Sequence, residues 1–187
     1  MEKLTFQDFV DMENIEKQYF DATNIMPAKE SHKLYLKDPK HICVIRSEKK
    51  VIGFAIALPL KKDSYEKVKS GLLQETKLAV DDLDFDRTAY SYIYLSAIAI
   101  DKKHRSFGNL IALMGVFKSH MRDIVQQATV KEVMADVLTD EGKKIAINFF
   151  KMKPFLNTKW NSTIYCVDGN TFKESLLNNK FGSGGRI

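Results

Sequence analysis

The apolar and polar positions of this chain follow two alternating periods that together predict a mixed α/β domain. Apolar residues three and four positions apart indicate helices over 8–19, near 32–35, around 65–73, over 107–125 and over 141–152. Runs rich in β-branched and aromatic residues indicate strands over 41–46, 51–60, 91–100, 130–138 and 163–167. The segment 61–90 is otherwise polar.

The order of these elements predicts which strands are neighbours. The first two strands are separated by a short polar stretch and are expected to form an antiparallel hairpin. The run 91–100 is apolar at nearly every position, as is typical of a central strand covered on both faces. A long helix then leads to strand 130–138, and this order predicts a right-handed crossover that makes the strands near Ile98 and Val137 parallel neighbours. With strand 163–167 closing it, the fold class is a central mixed sheet flanked by helices.

Length and composition indicate one domain. A chain of 187 residues with 44% hydrophobic positions can bury a substantial core. We expect a single domain over 1–180 and a flexible glycine-rich tail over 181–187, because no linker interrupts the chain before that point. The first ten residues contain no apolar run, so neither a signal peptide nor a membrane anchor is expected. Two cysteines without motif spacing are typical of a reducing compartment, so we expect a cytoplasmic protein.

A net charge of +5 and a pI near 9.0 raise the hypothesis of a nucleic-acid partner. The lysines are spread along the chain in pairs, without an aromatic-interleaved basic stripe, so a solvated surface explains them and no nucleic-acid binding is expected. The four histidines lack metal-ligand spacing, and we predict no metal site. A monomer or a homodimer is expected.

The turn between strand 91–100 and the long helix is a candidate anion site. Ligands of such sheets bind beyond the carboxyl ends of the strands. The first amides of a helix have no intrahelical partner and lie at the positive end of its dipole. Arg105 can add a charge-assisted bond, and Gly108 lets phosphate oxygens approach the backbone.

The same turn resembles the cofactor motif of the GNAT superfamily of N-acetyltransferases. That motif is Arg or Gln, two residues, Gly, one residue, then Gly or Ala, directly after a strand; here it corresponds to Arg105, Gly108 and Leu110. Leu110 stands where the family has a small residue. The resemblance implies a GNAT-like fold over roughly 1–167.

A second segment, 146–155, is similar to the family's A-x-x-F-Y-x-K-x-G-F pattern. Ala146, Phe149 and Phe155 agree with it. Phe150 replaces the tyrosine, Pro154 replaces the glycine, and the lysine is shifted. An amphipathic core helix explains this segment equally well.

The resemblance implies acetyl-CoA as cofactor, with the pantetheine arm paired to the backbone of the strand at Ile98 and Ile100. An amide near Ile98 or Ala99 would stabilise the oxyanion. The implied cofactor-binding residues are Ile98, Ala99, Ile100, Arg105, Ser106, Phe107, Gly108, Asn109, Leu110 and Phe150.

The catalytic groups are less sharply indicated. Some relatives carry a glutamate near the position of Tyr94, so here proton removal would pass through water to a carboxylate of the acidic loop: Asp82, Asp84 or Asp86. Because Phe150 has no hydroxyl, Tyr94, Ser96 or Tyr165 would protonate the leaving thiolate. Of these residues we take Tyr94, Ser96 and Asp84 as the candidate catalytic set, although a solvated loop and strand packing also explain them.

Three functions follow from these observations. The first is acetyl transfer from acetyl-CoA to a primary amine of a small molecule or peptide. The second, motivated by Phe150 and the absent carboxylate, is an acyl-CoA binding protein without catalysis. The third is a nucleic-acid binding module, motivated by pI alone.

Overall fold

A six-stranded mixed sheet runs through the molecule, with helices packed against both of its faces. The computed structural model describes residues 3–85 and 90–178. The strands are β1 (Ile42–Ser47), β2 (Lys50–Pro59), β3 (Tyr92–Ile100), β4 (Glu132–Val137), β5 (Lys153–Asn157) and β6 (Thr163–Asp168). The helices are α1 (Phe6–Glu16), α2 (Ala28–Lys37), α3 (Lys62–Lys69), α4 (Phe107–Gln127), α5 (Asp140–Lys144) and α6 (Gly169–Asn178).

The strand order is β1-β2-β3-β4-β6-β5. The β1/β2 hairpin and the parallel β3/β4 pair confirm the predicted neighbours, and all other pairings are antiparallel. The α4 crossover supplies the connection that parallel strands need. The predicted fold class is therefore correct.

β3 lies at the centre of the sheet because apolar residues cover both of its faces. On one face Ile93 and Leu95 pack against Phe117 and Met121 of α4. On the other face Tyr94 and Ala99 lie in the cluster formed with α1, α2 and α3. The two hydrophobic clusters, one on each face of the sheet, therefore fix the position of β3.

Two predictions for the last third of the chain differ from the structure. The helix expected over 141–152 is α5 followed by one π-helical turn, Ile145–Phe149. Strand 163–167 does not close the sheet, because β5 lies outside β6 as the edge strand. β5 contains Pro154 and is mostly exposed, so it has neither the composition nor the alternation that predicts a strand.

α6 was also not predicted. This helix contributes Phe172 and Leu176 to the core. These two core residues, in a largely polar segment, are too few to show a helical period in the sequence. The predicted tail over 181–187 and the candidate Asp86 lie outside the described residues.

Among the helices of 3–85 and 90–178, none combines the length and apolar character that a membrane span requires.

Phe117 offers a test of the packing between α4 and the sheet. It is 1% exposed and meets Phe150 edge-on. We expect Phe117→Ala to lower the free energy of unfolding by about 3–5 kcal/mol, since it leaves a cavity in a close-packed core. Phe6→Ala, at a position 50% exposed, is the control, with a loss below about 1 kcal/mol. Urea denaturation measures both, and equal losses would contradict this packing.

Candidate functional site

β3 and β4 pair over only part of their length and then separate. Their register runs from Tyr92 opposite Glu132 to Leu95 opposite Ala135. Beyond this point β3 continues to Ile100 without β4 as a partner. A gap therefore opens between two parallel strands at the middle of the sheet.

A β-bulge in β3 lies where the separation begins. Consecutive residues of β2, Ile56 and Ala57, pair with Ala97 and Leu95, so Ser96 is the extra residue. Bulges bend a strand and re-aim its side chains. The bulge explains why β3 stays with β2 while it leaves β4.

The backbone of β3 beyond the bulge faces this gap at every second residue. The amide of Asp101 donates to the carbonyl of Ile52 in β2 at 2.9 Å. Because successive residues of a strand turn their backbone groups to opposite edges, Ile98 and Ile100 turn theirs toward the gap. The Tyr19 hydroxyl donates to the Ile100 carbonyl at 2.6 Å. The amide and carbonyl of Ile98 lie where a ligand can pair with them, whereas Ala99 faces β2.

The larger of two neighbouring cavities is a cleft of about 670 Å³ beside this gap. Its first wall contains most of the predicted cofactor-binding residues: Ile98, Ala99, Ile100, Arg105, Ser106, Phe107 and Leu110. Its second wall comes from α5 and the π-helical turn and includes Thr139, Glu141, Lys144, Ile145, Asn148 and Phe149. The structure therefore gathers these predicted residues along one surface.

The start of α4 provides backbone donors at one end of the cleft. Ser106 caps the helix by accepting from the amide of Asn109 at 3.1 Å. The first intrahelical bond runs from the Leu110 amide to the Ser106 carbonyl, so the amides of Phe107 and Gly108 have no acceptor within the helix and are available to an anion. A Cβ placed on Gly108 meets only the Ser106 Oγ, at 3.9 Å. The space beside Gly108 is therefore open at the position that a side chain would occupy.

Other predicted residues of this turn have structural contacts. The Asn109 side chain donates to the His104 carbonyl at 2.6 Å and so braces the turn. Leu110 packs its side chain against the α4 core cluster and also lines the cleft. Packing against the core thus accommodates the side chain of Leu110, which is larger than the residue usual at the last motif position.

Arg105 reaches across the cleft. Its Nη2 lies 2.9 Å from Oε1 of Glu141 in α5, and their side chains are 47% and 58% exposed. The backbone amide of Glu141 first, and then the Arg105 guanidinium, hold the pKa of the Glu141 carboxyl below its usual value. An exposed pair of this kind is weak, so an anionic ligand can replace Glu141 as the partner of Arg105.

A smaller cavity of about 110 Å³ continues from the cleft beneath the gap. The two share Phe20, Ile98 and Ile145 in their walls. Three carboxylic side chains line the smaller cavity together with three aromatic ones: Glu16, Glu75, Asp136, Phe20, Phe150 and Trp160.

Glu75 is the functional candidate that the sequence did not identify. Tyr94 Oη donates to its Oε2 at 2.8 Å, and the Ser96 hydroxyl donates to its Oε1. Burial raises the pKa of Glu75 to about 7, against the lowering effect of these two hydrogen bonds. The predicted residues Tyr94 and Ser96 therefore hold a carboxyl group that titrates near neutrality.

The acidic loop occupies a different place. Asp84 follows the bridge between Leu60 and Leu83, and its amide donates to the Pro59 carbonyl at 2.9 Å. Asp82 accepts from the Ser64 hydroxyl at 2.6 Å and so caps local structure. Among the described residues that line the two cavities, neither aspartate is present.

Phe150 and Tyr165 lie in the hydrophobic core. Phe150 is 1% exposed and contacts the rings of Phe117, Phe149 and Phe172, with one side on the smaller cavity. Tyr165 is 4% exposed and pairs with β4. Neither lines the larger cleft within the described chain.

No protein-family model and no curated protein sequence matches this chain. Solved structures match it along most of its length. The loading GNATL domain of CurA from Lyngbya majuscula superposes with a TM-score of 0.58 at 11% identity, over 90% of this chain and 96% of that one. An N-acetyltransferase from Staphylococcus aureus Mu50 gives 0.56 at 15% identity, over 90% and 96%.

The chain has the GNAT fold. The resemblance stated from the motif at Arg105 is thereby confirmed at the level of architecture. Another match is the GphF GNAT-like decarboxylase in complex with isobutyryl-CoA, with a TM-score of 0.54 at 10% identity over 89% of this chain and 97% of that one. The GNAT fold therefore carries more than one reaction, and the site must decide the activity.

Tyr94 provides a test of the carboxyl group in the smaller cavity. Its hydroxyl stabilises the ionised form of Glu75, so Tyr94→Phe is expected to raise the pKa of Glu75 further above about 7. Carbon-13 NMR titration of labelled glutamate carboxyls in the ligand-free protein measures the change. Tyr92→Phe, on the same strand, is the control with an unaltered titration. A lower pKa in Tyr94→Phe would contradict the assigned hydrogen bond.

Proposed function

We propose that this protein is an N-acyltransferase that moves an acetyl group from acetyl-CoA to a primary amine of a small molecule or peptide. The observation that carries the proposal is the continuous path from the start of α4, along the gap-facing backbone of Ile98, to the carboxyl group of Glu75. Such a path brings an anionic thioester and an amine together at one point.

The acyl donor fits the first part of this path. The amides of Phe107 and Gly108 would hold the pyrophosphate, with Arg105 adding charge-assisted bonds. The backbone of Ile98 would pair with the amide groups of the pantetheine arm as an added strand does. Lys144 and Asn148 on the opposite wall are further polar groups within the cleft.

Acetyl-CoA supplies an activated thioester carbonyl. The Ile98 amide is the group that stabilises negative charge on the carbonyl oxygen, because it faces the gap while the Ala99 amide faces β2. Of the two amides that the sequence analysis offered for the oxyanion, Ile98 and Ala99, only that of Ile98 suits this geometry.

Glu75 is the general base in place of Asp84. A primary amine has a pKa of ~10.4 and arrives mostly protonated. Glu75, with a pKa of about 7, is substantially ionised at neutral pH and can accept a proton there. A base poised near the working pH balances availability against strength.

The smaller cavity suits the acceptor amine. Its ionised carboxylic groups attract a cation. The volume of about 110 Å³ admits a narrow alkyl amine or the end of an extended peptide.

A second candidate is acyl-CoA binding without turnover, favoured by Phe150, which has no hydroxyl to protonate a leaving thiolate. Calorimetric titration with CoA and acetyl-CoA, set beside thiol release with a panel of primary amines, separates the two. Binding without release of thiol for any amine would support the second candidate over the first.

Gly108 tests the donor site. We expect Gly108→Glu to weaken CoA binding by at least about 100-fold, because it places a like charge in a phosphate site. The fold is expected to persist by circular dichroism, since the added side chain meets open space. Gly115→Glu is a matched control on the exposed face of the same helix, where an added Cβ meets no atom within 4 Å. Equal calorimetric affinities for the two variants would refute the assigned site.

Glu75→Gln tests the base. We expect kcat/KM to fall by about 10²–10⁴-fold while CoA affinity is unchanged. In the wild type, the rate is expected to rise with pH through about 7, because only the ionised carboxylate accepts a proton. This rise should be absent from Glu75→Gln and present in Glu66→Gln, whose side chain is exposed on α3. A rate profile that keeps its rise in Glu75→Gln would assign the base elsewhere.

A further inference from the structure

Glu16 is a second carboxyl group that lines the smaller cavity, where it is half-buried, and the proposed base step does not involve it. It is the last residue of α1 and lines the cavity together with Glu75 and Ile98. Phe150, which lacks a hydroxyl, borders the same space. Glu16 therefore approaches the proposed reaction site from the face of the sheet that carries α1.

The charges around Glu16 come from three elements. Glu75 lies in the turn Glu75–Lys77, Asp136 in β4, and Glu13 one turn earlier in α1. Glu13 is held by Lys17 at 2.6 Å and by the Ala28 amide at 2.7 Å. Burial first, and then the negative charges of Glu75 and Glu13, raise the pKa of Glu16 to about 8. Glu16 thus keeps its proton at neutral pH.

We propose, on the basis of the acyl transfer inferred above, that Glu16 is the proton donor to the departing CoA sulfur. The ammonium proton first leaves through Glu75 to solvent, so the amine enters this step as the free base with Glu75 ionised. Its nitrogen then forms a bond to the acetyl carbon, and the bond from that carbon to sulfur breaks with its electron pair on sulfur. The amine proton passes to the Glu75 carboxylate, and the proton of Glu16 passes to the sulfur. The products are the acetylated amine and CoA as a thiol.

The two carboxyl groups assist each other. When Glu75 takes a proton, it loses the negative charge that had favoured the protonated form of Glu16. Glu16 consequently becomes a stronger acid as the sulfur departs. Afterwards the proton returns from Glu75 to Glu16, through water that a polar cavity of this volume can hold. No further reactant is needed.

The test compares Glu16→Gln with Asp11→Asn, a control on the same helix. We expect Glu16→Gln to lower kcat by about 100-fold, with KM and calorimetric CoA affinity changed less than about twofold. The wild-type rate should fall as pH rises through about 8, because the donor is lost, and this fall should disappear in Glu16→Gln. Asp11→Asn should retain both the rate and the fall.

A readout without turnover completes the test. In ligand-free protein at pH 7, the infrared band of protonated carboxyl groups, to which Glu75 also contributes, should lose intensity in Glu16→Gln relative to the wild type. An unchanged infrared band, or an unchanged kcat, would overturn the role of Glu16 alone. Failure of the wild type to release thiol with any amine would overturn the acyl transfer as well, so the two failures are distinguishable.

Discussion

The structure depends on a backbone pairing that stops part-way along the central strand. β3 keeps β2 as a neighbour to its end, but β4 leaves it after Leu95. Burying backbone amides and carbonyls without hydrogen-bond partners costs free energy. The gap-facing amide and carbonyl of Ile98 are therefore expected to bind a ligand that pairs with them as a neighbouring strand would. The bulge at Ser96 sets both the point of separation and the direction in which these groups face.

The same bulge connects the backbone site to the acidic cavity. It turns Ser96 toward the face on which Tyr94 lies, so that both hydroxyls meet Glu75. Burial raises the pKa of Glu75 to about 7, and burial together with the charges of Glu75 and Glu13 raises the pKa of Glu16 to about 8. A cavity in which Glu75 is partly ionised while Glu16 keeps its proton near neutral pH can both accept and return a proton. In the mechanism that we propose, this pair supplies the acid and base chemistry in place of a tyrosine at position 150.

The sequence predicted the sheet neighbours and the turn at Arg105 because both rest on local signals, periodicity and the strand-to-helix transition. It did not predict Glu75, which belongs to a polar segment without regular spacing; its partners are distant in the chain. β3 contains one indirect sign of Glu75, because Tyr94 and Ser96 place two hydroxyl groups at alternate positions of a largely apolar strand. That pattern indicated a polar partner on one face, but its identity depended on how the segment after α3 folds back.

The central claim is that a ligand pairs with the gap-facing backbone of β3. Hydrogen–deuterium exchange resolved to single amides, with and without CoA, tests it most directly. We expect CoA to slow exchange at Ile98 and at Gly108, while the Ala99 amide, already facing β2, changes little. If exchange at Ile98 is unaltered by saturating CoA, or if protection arises elsewhere in the chain, the account is contradicted.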